Sequence, residues 1–438
     1  MSAGVPSYDD VVRELFARQP NRMVPDLDRI RTLTELLGRP DQAFPAIQVT
    51  GTNGKTTVSL MISALLGALG LSAGTYTSPH LQDVRERIRV AGEPISREEM
   101  VEGLAYLAPF VLETDDRHPE ALTFFEILTA LSFTHFGDKP VDVGVYEVGM
   151  GGAWDATNLV RGEVAVLNSV SLDHLELGST LQAIAREKAG VIKDGAVVVS
   201  AAQDDDVADV IAAAAEAHDA RLVVAGRDFD ILERGLAVGG QYLTLRGVTG
   251  EVDEIYLPLH GAHQARNAAV ALAAVEGFLG FAGGLDAEVI REGFAAVRSP
   301  GRVEVVRRRD AAPVVLDGAH NPAGAATLAQ TLRTEFGHRH RVFVLGVLGD
   351  KDVEGIVEAL LPVADHLVVT EPPSGRAAPT DRIAKALHAA GRTFETAADV
   401  PAAIELASGV ATEEDAVVVT GSLYMVGAAR DALGLEPA

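Results

Sequence analysis

The sequence predicts an α/β protein: an N-terminal phosphate-loop domain with a mostly parallel sheet and a small antiparallel insert, and a smaller Rossmann-like C-terminal α/β domain. Three observations predict it. Short apolar runs rich in β-branched residues alternate with segments of helical periodicity, the pattern of a parallel sheet covered on both faces. Between Arg221 and Leu259 this gives way to short runs separated by Gly-Gly and Thr-Gly turn signals, as an antiparallel hairpin insert requires. The alternation restarts beyond Ser299-Pro300-Gly301, and 438 residues are more than one core usually supports. The boundary is placed at 299, giving domains of 1–298 and 299–438.

In chain order, Ala46 to Thr50, Val141 to Glu147, Val164 to Val170 and Ala196 to Ser200 read as strands of the first sheet. After the first comes Val58 to Ala73, a run of 16 uncharged residues. It falls short of the roughly 20 that span a bilayer and follows a glycine-rich loop directly, so it reads as a buried helix. The Ala-rich stretch Val207 to Ala217 reads as a surface helix, and His263 to about Phe278 as a further helix. Beyond 299, Pro313 to Asp317, Arg341 to Val347, His366 to Thr370 and Ala416 to Thr420 read as strands with helices between them.

Composition narrows the partners. Lys and Arg number 37 against 62 Asp and Glu, a net charge of −25 that argues against nucleic acid and anionic membranes. The absence of cysteine excludes disulfides, thiolate nucleophiles and thiolate metal sites. Met1 to Leu15 lack an apolar signal core, so no export is implied and a cytoplasmic location is expected; the chain is expected to be a monomer. Only six cations are lysines: 55, 139, 188, 193, 351 and 385.

The strongest motif is Val49 to Thr57, VTGTNGKTT, between a strand and a helix. Its glycines let the backbone curl so that N–H groups face phosphate oxygens. Lys55 reaches the β- and γ-phosphates, and a Thr hydroxyl can ligate Mg²⁺. Three further groups fall where ligands of open α/β sheets collect: Glu147 ending one strand, Asp173-His174 after the next, and Ser78 after the first helix. Together they can hold Mg²⁺, although His is a less usual ligand for a hard cation. The alternative is a helix-capping Glu147 and a turn histidine; the phosphate loop favours the metal site.

TGTNGKTT, YTSPHL with Glu86-Arg87-Ile88, TFFEILTA, VYEVGMGGAWDATN, SLDHLELG, EKAG, HQARNA, PGRVEV, DGAHNP, GDKD and GSLYMVG follow one another between Met23 and Gly427. In kind and order they resemble folylpolyglutamate synthase and dihydrofolate synthase, members of the Mur ligase superfamily. The resemblance implies ATP-dependent amide ligation, in which a carboxylate takes the γ-phosphoryl group and the amine of L-glutamate displaces phosphate. It implies dihydropteroate, folates, L-glutamate and ATP as partners, and two Mg²⁺ ions with K⁺ or another monovalent cation beside them.

By motif position, the resemblance gives Mg²⁺ to Ser78, Glu147, His174 and Thr56, with Thr57 sharing the hydroxyl position. Phosphate contacts fall to Gly51, Thr52, Asn53, Gly54, Lys55, Thr56 and Thr57, and nucleotide contacts to Asn267, Arg302, Asp317 and His320. Lys55, Glu147, His174 and Lys188 are implied in catalysis. Lys188 matches a lysine that is carbamylated in the family and then ligates Mg²⁺, which arginine cannot do; its plainer reading is a helical surface lysine paired with a nearby Glu. Asp28, Arg29, Thr123, Phe124, Phe125, Glu126, Trp154, Asp155 and Ala156 form the implied pterin side, where Phe124 or Phe125 stacks on the ring or lies in the core.

Two positions depart from the pattern: Thr56 stands where many members have Gly, and Ala153 where many have Arg, which removes a cation near the substrate. The alternatives are a folylpolyglutamate synthase alone and a nucleotide-binding regulator without catalysis. A Mur peptidoglycan ligase is expected to lack TSPHL with ERI, and TFFE.

Overall fold

In the computed structural model, which describes residues 7–19, 24–172 and 177–437, the described residues form three sheets. The largest contains β1 (Pro45–Thr50), β2 (Ala73–Tyr76), β3 (Ile88–Val90), β4 (Glu93–Pro94), β5 (Val143–Glu147), β6 (Arg161–Leu167), β7 (Val197–Ser200) and β8 (Arg221–Val224). Their spatial order is β4-β3-β2-β5-β1-β6-β7-β8, parallel from β2 to β8 with β3 and β4 as an antiparallel edge. An antiparallel sheet of β9 (Asp230–Ala237), β10 (Gly240–Arg246) and β11 (Glu251–Leu257) follows. The third sheet takes β12 (Glu304–Val306), β13 (Val314–Leu316), β14 (Arg341–Leu345), β15 (His366–Val369), β16 (Glu395–Thr396) and β17 (Ala416–Thr420) in the order β12-β13-β17-β14-β15-β16. Only β12 runs antiparallel there.

Two expectations shift. The uncharged run after the phosphate loop is not one helix: the helix Lys55–Ala68 ends before Gly70, at φ +79°, where the Leu71 N–H turns back to the Leu66 carbonyl, and β2 begins at Ala73. Arg221 to Val224 is not part of the insert but pairs parallel with β7, so the antiparallel sheet starts at Asp230. No described helix is long and apolar enough to cross a membrane.

The helix Lys55–Ala68 is wedged between the first sheet and the helices Ala262–Phe278 and Ala287–Ala296, its apolar side chains in the main core. Gly293 permits the close approach, since a Cβ there would stand 3.1 Å from the Leu65 Cα. β1 lies between β5 and β6, so the chain reverses direction of winding at β1, and the carboxyl ends of these three strands converge where such sheets bind ligands.

Candidate active site

β1 delivers the chain to Gly51, at φ +143°, and the helix begins after Gly54, at φ +81°. A side chain at Gly51 would collide with Asn168 Cβ at 2.9 Å, and one at Gly54 with Asn168 Nδ2 at 2.5 Å, so both positions need glycine. Asn168, one residue past β6, is the keystone: its Nδ2 donates to the Asn53 carbonyl (3.0 Å) and to Asn267 Oδ1 (3.0 Å), and Asn267 Nδ2 donates to Gln264 Oε1 (2.9 Å). The Thr52 hydroxyl donates to the Ser171 carbonyl at 3.1 Å and accepts the Ser171 N–H at 3.0 Å. Lys55 Nζ donates to the carbonyls of Gly51 (3.1 Å) and Thr52 (3.3 Å).

Lys188, in the helix Leu181–Ala189, is 4 % exposed and its Nζ donates to the same Gly51 carbonyl at 2.8 Å. It is therefore part of the loop's surroundings and not a surface lysine. Its neighbour Glu187 holds the adjoining loop, with Oε1 accepting the N–H groups of Gly152 and Trp154 (3.3 Å each) and its carbonyl accepting that of Ala153. Ala153 packs on Gly190, where an added Cβ would stand 2.4 Å from its own.

Glu147 ends β5 fully buried. Its Oε1 accepts the Thr56 hydroxyl and its Oε2 the Ser78 N–H, both at 2.9 Å. It caps no helix. Burial pushes its carboxyl pKa up, opposed by Lys55, these two hydrogen bonds and Arg302. The Thr57 hydroxyl instead meets Ser299 Oγ at 3.0 Å, so of the two threonines it is Thr56 that stands beside the carboxylate. Carboxylate and hydroxyl oxygens are hard donors of the kind Mg²⁺ takes. Among the described residues no three His, Cys, Asp or Glu side chains gather into a metal-binding group, and Asp173 and His174 lie outside those residues.

A cleft of about 390 Å³ lies between this loop and the segments that lead into the third sheet, with Asn53, Gly54 and Asn267 on one wall and Arg302, Asp317 and His320 on the other. Asn321 Nδ2 crosses it to Asn53 Oδ1 at 3.2 Å. Asp317 spends both oxygens on the N–H groups of Val303 and Ala319 (2.9 Å each); burial raises its pKa against Arg302 and these bonds. His320 Nδ1 faces the Gly318 carbonyl at 2.8 Å. Lys351, with Nζ 4.0 Å from Asp350, lines neither this cleft nor the next.

A second cleft of about 660 Å³ opens beyond Ser78. Arg29, Thr123, Phe124, Phe125, Glu126, Trp154, Asp155 and Ala156 all reach it, and Asp28 does not. Asp28 is exposed and accepts from Arg31 at 2.7 Å, while Asp26 takes the inward position. Thr123 and Glu126 form a reciprocal capping box on the helix Phe124–Asp138. Phe124 stacks on Phe16 (4.8 Å between centroids), and Phe125 lies 5.9 Å from Tyr76. Asp155 accepts from the N–H groups of Met150 and Thr157 and from the Thr157 hydroxyl, so its carboxylate shapes the wall.

YTSPHL and ERI prove to be one structure. Glu86 accepts the N–H groups of Leu81, Gln82 and Asp83 at 2.8–3.0 Å, bending the chain so that Arg87 Nε donates to His80 Nδ1 at 2.9 Å. A guanidinium only donates, so His80 carries its proton on Nε2, and burial pushes its pKa down to about 3. The sequence reading gave no role in the site to Asn168, Asn321, Glu187 or this pairing, and used Ser299 only as part of the boundary at 299. For Asn168 a signal existed, an amide where an apolar strand ends.

Comparison with known proteins identifies the family. Residues 49–275 match the Mur ligase middle domain and 301–423 the Mur ligase glutamate ligase domain. The dihydrofolate synthase/folylpolyglutamate synthase of Mycobacterium tuberculosis is 45% identical, covering 95% of this chain and 91% of its own. That of Bacillus subtilis is 32% identical, covering 98% and 99%. The solved structure of Mycobacterium tuberculosis folylpolyglutamate synthase complexed with ADP superposes with a TM-score of 0.93 at 44% identity, over 98% of this chain and 99% of that one. With both parts matched in order and its relatives aligned nearly end to end, the chain belongs to the Mur ligase family, among the dihydrofolate synthase/folylpolyglutamate synthases.

Proposed function

We propose that this chain is an ATP-dependent carboxylate–amine ligase that joins L-glutamate to 7,8-dihydropteroate and, in further rounds, to the γ-carboxylate of reduced folates. The observation that carries this reading is one buried carboxylate, Glu147, placed between the phosphate loop and the second cleft: it touches Thr56 of the loop and Ser78, which lines that cleft. A γ-phosphate on one side and a substrate carboxylate on the other come together there, and in phosphoryl transfer such positioning supplies most of the catalysis. The carboxylate oxygen attacks the γ-phosphorus and ADP leaves. The glutamate amine then attacks the acyl carbon, phosphate departs and the amine gives up a proton. Loop N–H groups and Lys55 take phosphate charge, while Asn267, Arg302 and His320 face the nucleotide, Asp317 holding its wall in shape. The division at 299 assigns the loop to one domain and the opposing wall to the other.

Glu147, Thr56 and Ser78 offer Mg²⁺ hard oxygen donors, and the ion when bound neutralises phosphate charge. His174 and a carbamate on Lys188 complete the proposed set. A carbamate nitrogen keeps one N–H for the Gly51 carbonyl, and an intact mass one CO₂ above the sequence value, measured in bicarbonate, reports it independently of activity. Exchange of K⁺ for a bulky organic cation at constant ionic strength tests the monovalent site, and solution scattering tests the monomer.

The deciding assay supplies ATP, Mg²⁺ and L-glutamate with either 7,8-dihydropteroate or tetrahydrofolate. ADP release with both is expected. Release with tetrahydrofolate alone leaves a folylpolyglutamate synthase, and nucleotide binding without release on either overturns the ligase reading.

A further inference from the structure

Two buried arginines line the second cleft, and their surroundings differ. Arg29, 5 % exposed, is neutralised: its Nε donates to Glu126 at 3.1 Å, its Nη1 to Glu120 at 3.2 Å, and Asp26 stands 3.6 Å away. Arg87, 7 % exposed, has neutral neighbours. Its Nε is on the unprotonated nitrogen of His80 and its Cζ lies 5.0 Å over the Phe124 ring. Among the described residues no carboxylate pairs with it. The carboxylate it senses from a distance, Glu147, is already engaged by Thr56 and Ser78.

A buried guanidinium without a counter-charge is costly, and in a chain of net charge −25 acidic side chains are plentiful. One has been supplied to Arg29 three times over and to Arg87 not at all. Of the charged groups lining the cleft, Asp26, Glu120 and Glu126 gather around Arg29 and make its acidic end, Asp155 is engaged by Met150 and Thr157, and the positive charge is left to buried Arg87 and exposed Arg376.

Resting on the ligase reading, we propose that Arg87 binds the substrate carboxylate that accepts the phosphoryl group, and that the acidic end takes the donor-rich heterocycle at the opposite end of the same molecule. The substrate therefore enters with its carboxylate towards Glu147 and the phosphate loop. Phe124 keeps the guanidinium in place from below, and Glu86 fixes the turn that aims it. The same charge serves the aryl carboxylate of dihydropteroate and the γ-carboxylate of a folate.

The test compares each acid with its primary carboxamide: pteroic acid with pteroamide, and folic acid with its γ-amide. Each is titrated into full-length protein holding Mg²⁺ and ADP. The wild type is expected to prefer the acids by about 10- to 100-fold, the span of a charge-assisted hydrogen bond. Arg87→Met is expected to bind acid and amide alike while its affinity for ADP is unchanged. A folded Arg87→Met that keeps the preference overturns the proposal. Because the preference is a ratio within one protein, Arg87→Lys replaces Met if the latter does not fold: the preference should fall, and an unchanged ratio overturns the assignment. If one acid loses its preference and the other keeps it, Arg87 does not hold the carboxylate of the second, and the shared-site statement fails. A wild type that turns over but shows no preference for either acid defeats this proposal alone. One that releases no ADP with either 7,8-dihydropteroate or tetrahydrofolate defeats the ligase reading itself.

Discussion

At the phosphate loop, residues 51–57 are shaped mainly by backbone carbonyls, glycine conformations and uncharged amides, with Asn168 and Asn267 pinning the loop from the ends of neighbouring elements. The second cleft is held by side chains from distant segments: Arg29 on Glu126, Arg87 on His80 and Phe124, Phe16 on Phe124. The first arrangement keeps its geometry inside a short motif and needs few partners. The second depends on the whole fold to bring its parts together, and on charges that must match in a buried place.

That contrast can be broken experimentally. The largest effect is expected from Lys188→Arg, which keeps a cation near Gly51 but removes the amine that the proposed carbamate requires: kcat/KM should fall by about 10³-fold, as when a principal electrostatic group at the transition state is lost. Near-normal turnover would sink the carbamate role. Next, Arg29→Met leaves three carboxylates facing one another and should cost about 3 kcal/mol of stability in urea unfolding, with ADP affinity unaltered. Asn168→Ala should do the reverse, weakening ADP binding by about tenfold through the loss of two buried hydrogen bonds while affinity for pteroic acid stays the same. If either variant affects both ligands equally, the two clefts are not separate constructions. The smallest effect belongs to Thr57→Val, about 1 kcal/mol or less in kcat/KM, whereas Thr56→Val should cost several times more because its hydroxyl stands at Glu147.

The same contrast explains what could be read from the sequence. The strands of the parallel sheets and the phosphate loop are local patterns, and Gly51, Gly54, Lys55 and Glu147 could be found from spacing and from their place at strand ends. β2 could not, because the preceding run is uncharged throughout and only Gly70, with its positive φ, marks the turn inside it. β8 shares its short alternating look with the insert that follows, and only pairing with β7 separates them. Thr123 and Glu126 carry the spacing of a capping box, a local reason for their identities besides any contact with a ligand. Asp26 and Asp28 are equivalent in the sequence, and which one faces the cleft is decided by where the chain enters the helix Asp28–Leu36. The pairing of His80 with Arg87 joins two short motifs whose link is visible only once Glu86 has folded the turn between them.

The hydroxyl contact between Thr57 and Ser299 has a mechanical meaning. Ser299 begins the segment joining the two large sheets, and Gly301, at φ +68°, lies two residues beyond it with its carbonyl accepting the Gly318 N–H. Thr57 sits in the first turn of the helix that starts with Lys55 and Thr56. The linker is thus a lever with one arm tied to the phosphate loop. Torque between the two large sheets can reach the phosphate loop through this pair of oxygens, as it can through Asn321 and Asn53, and loosening Ser299 alters the seating of the loop without removing any of the loop's own groups.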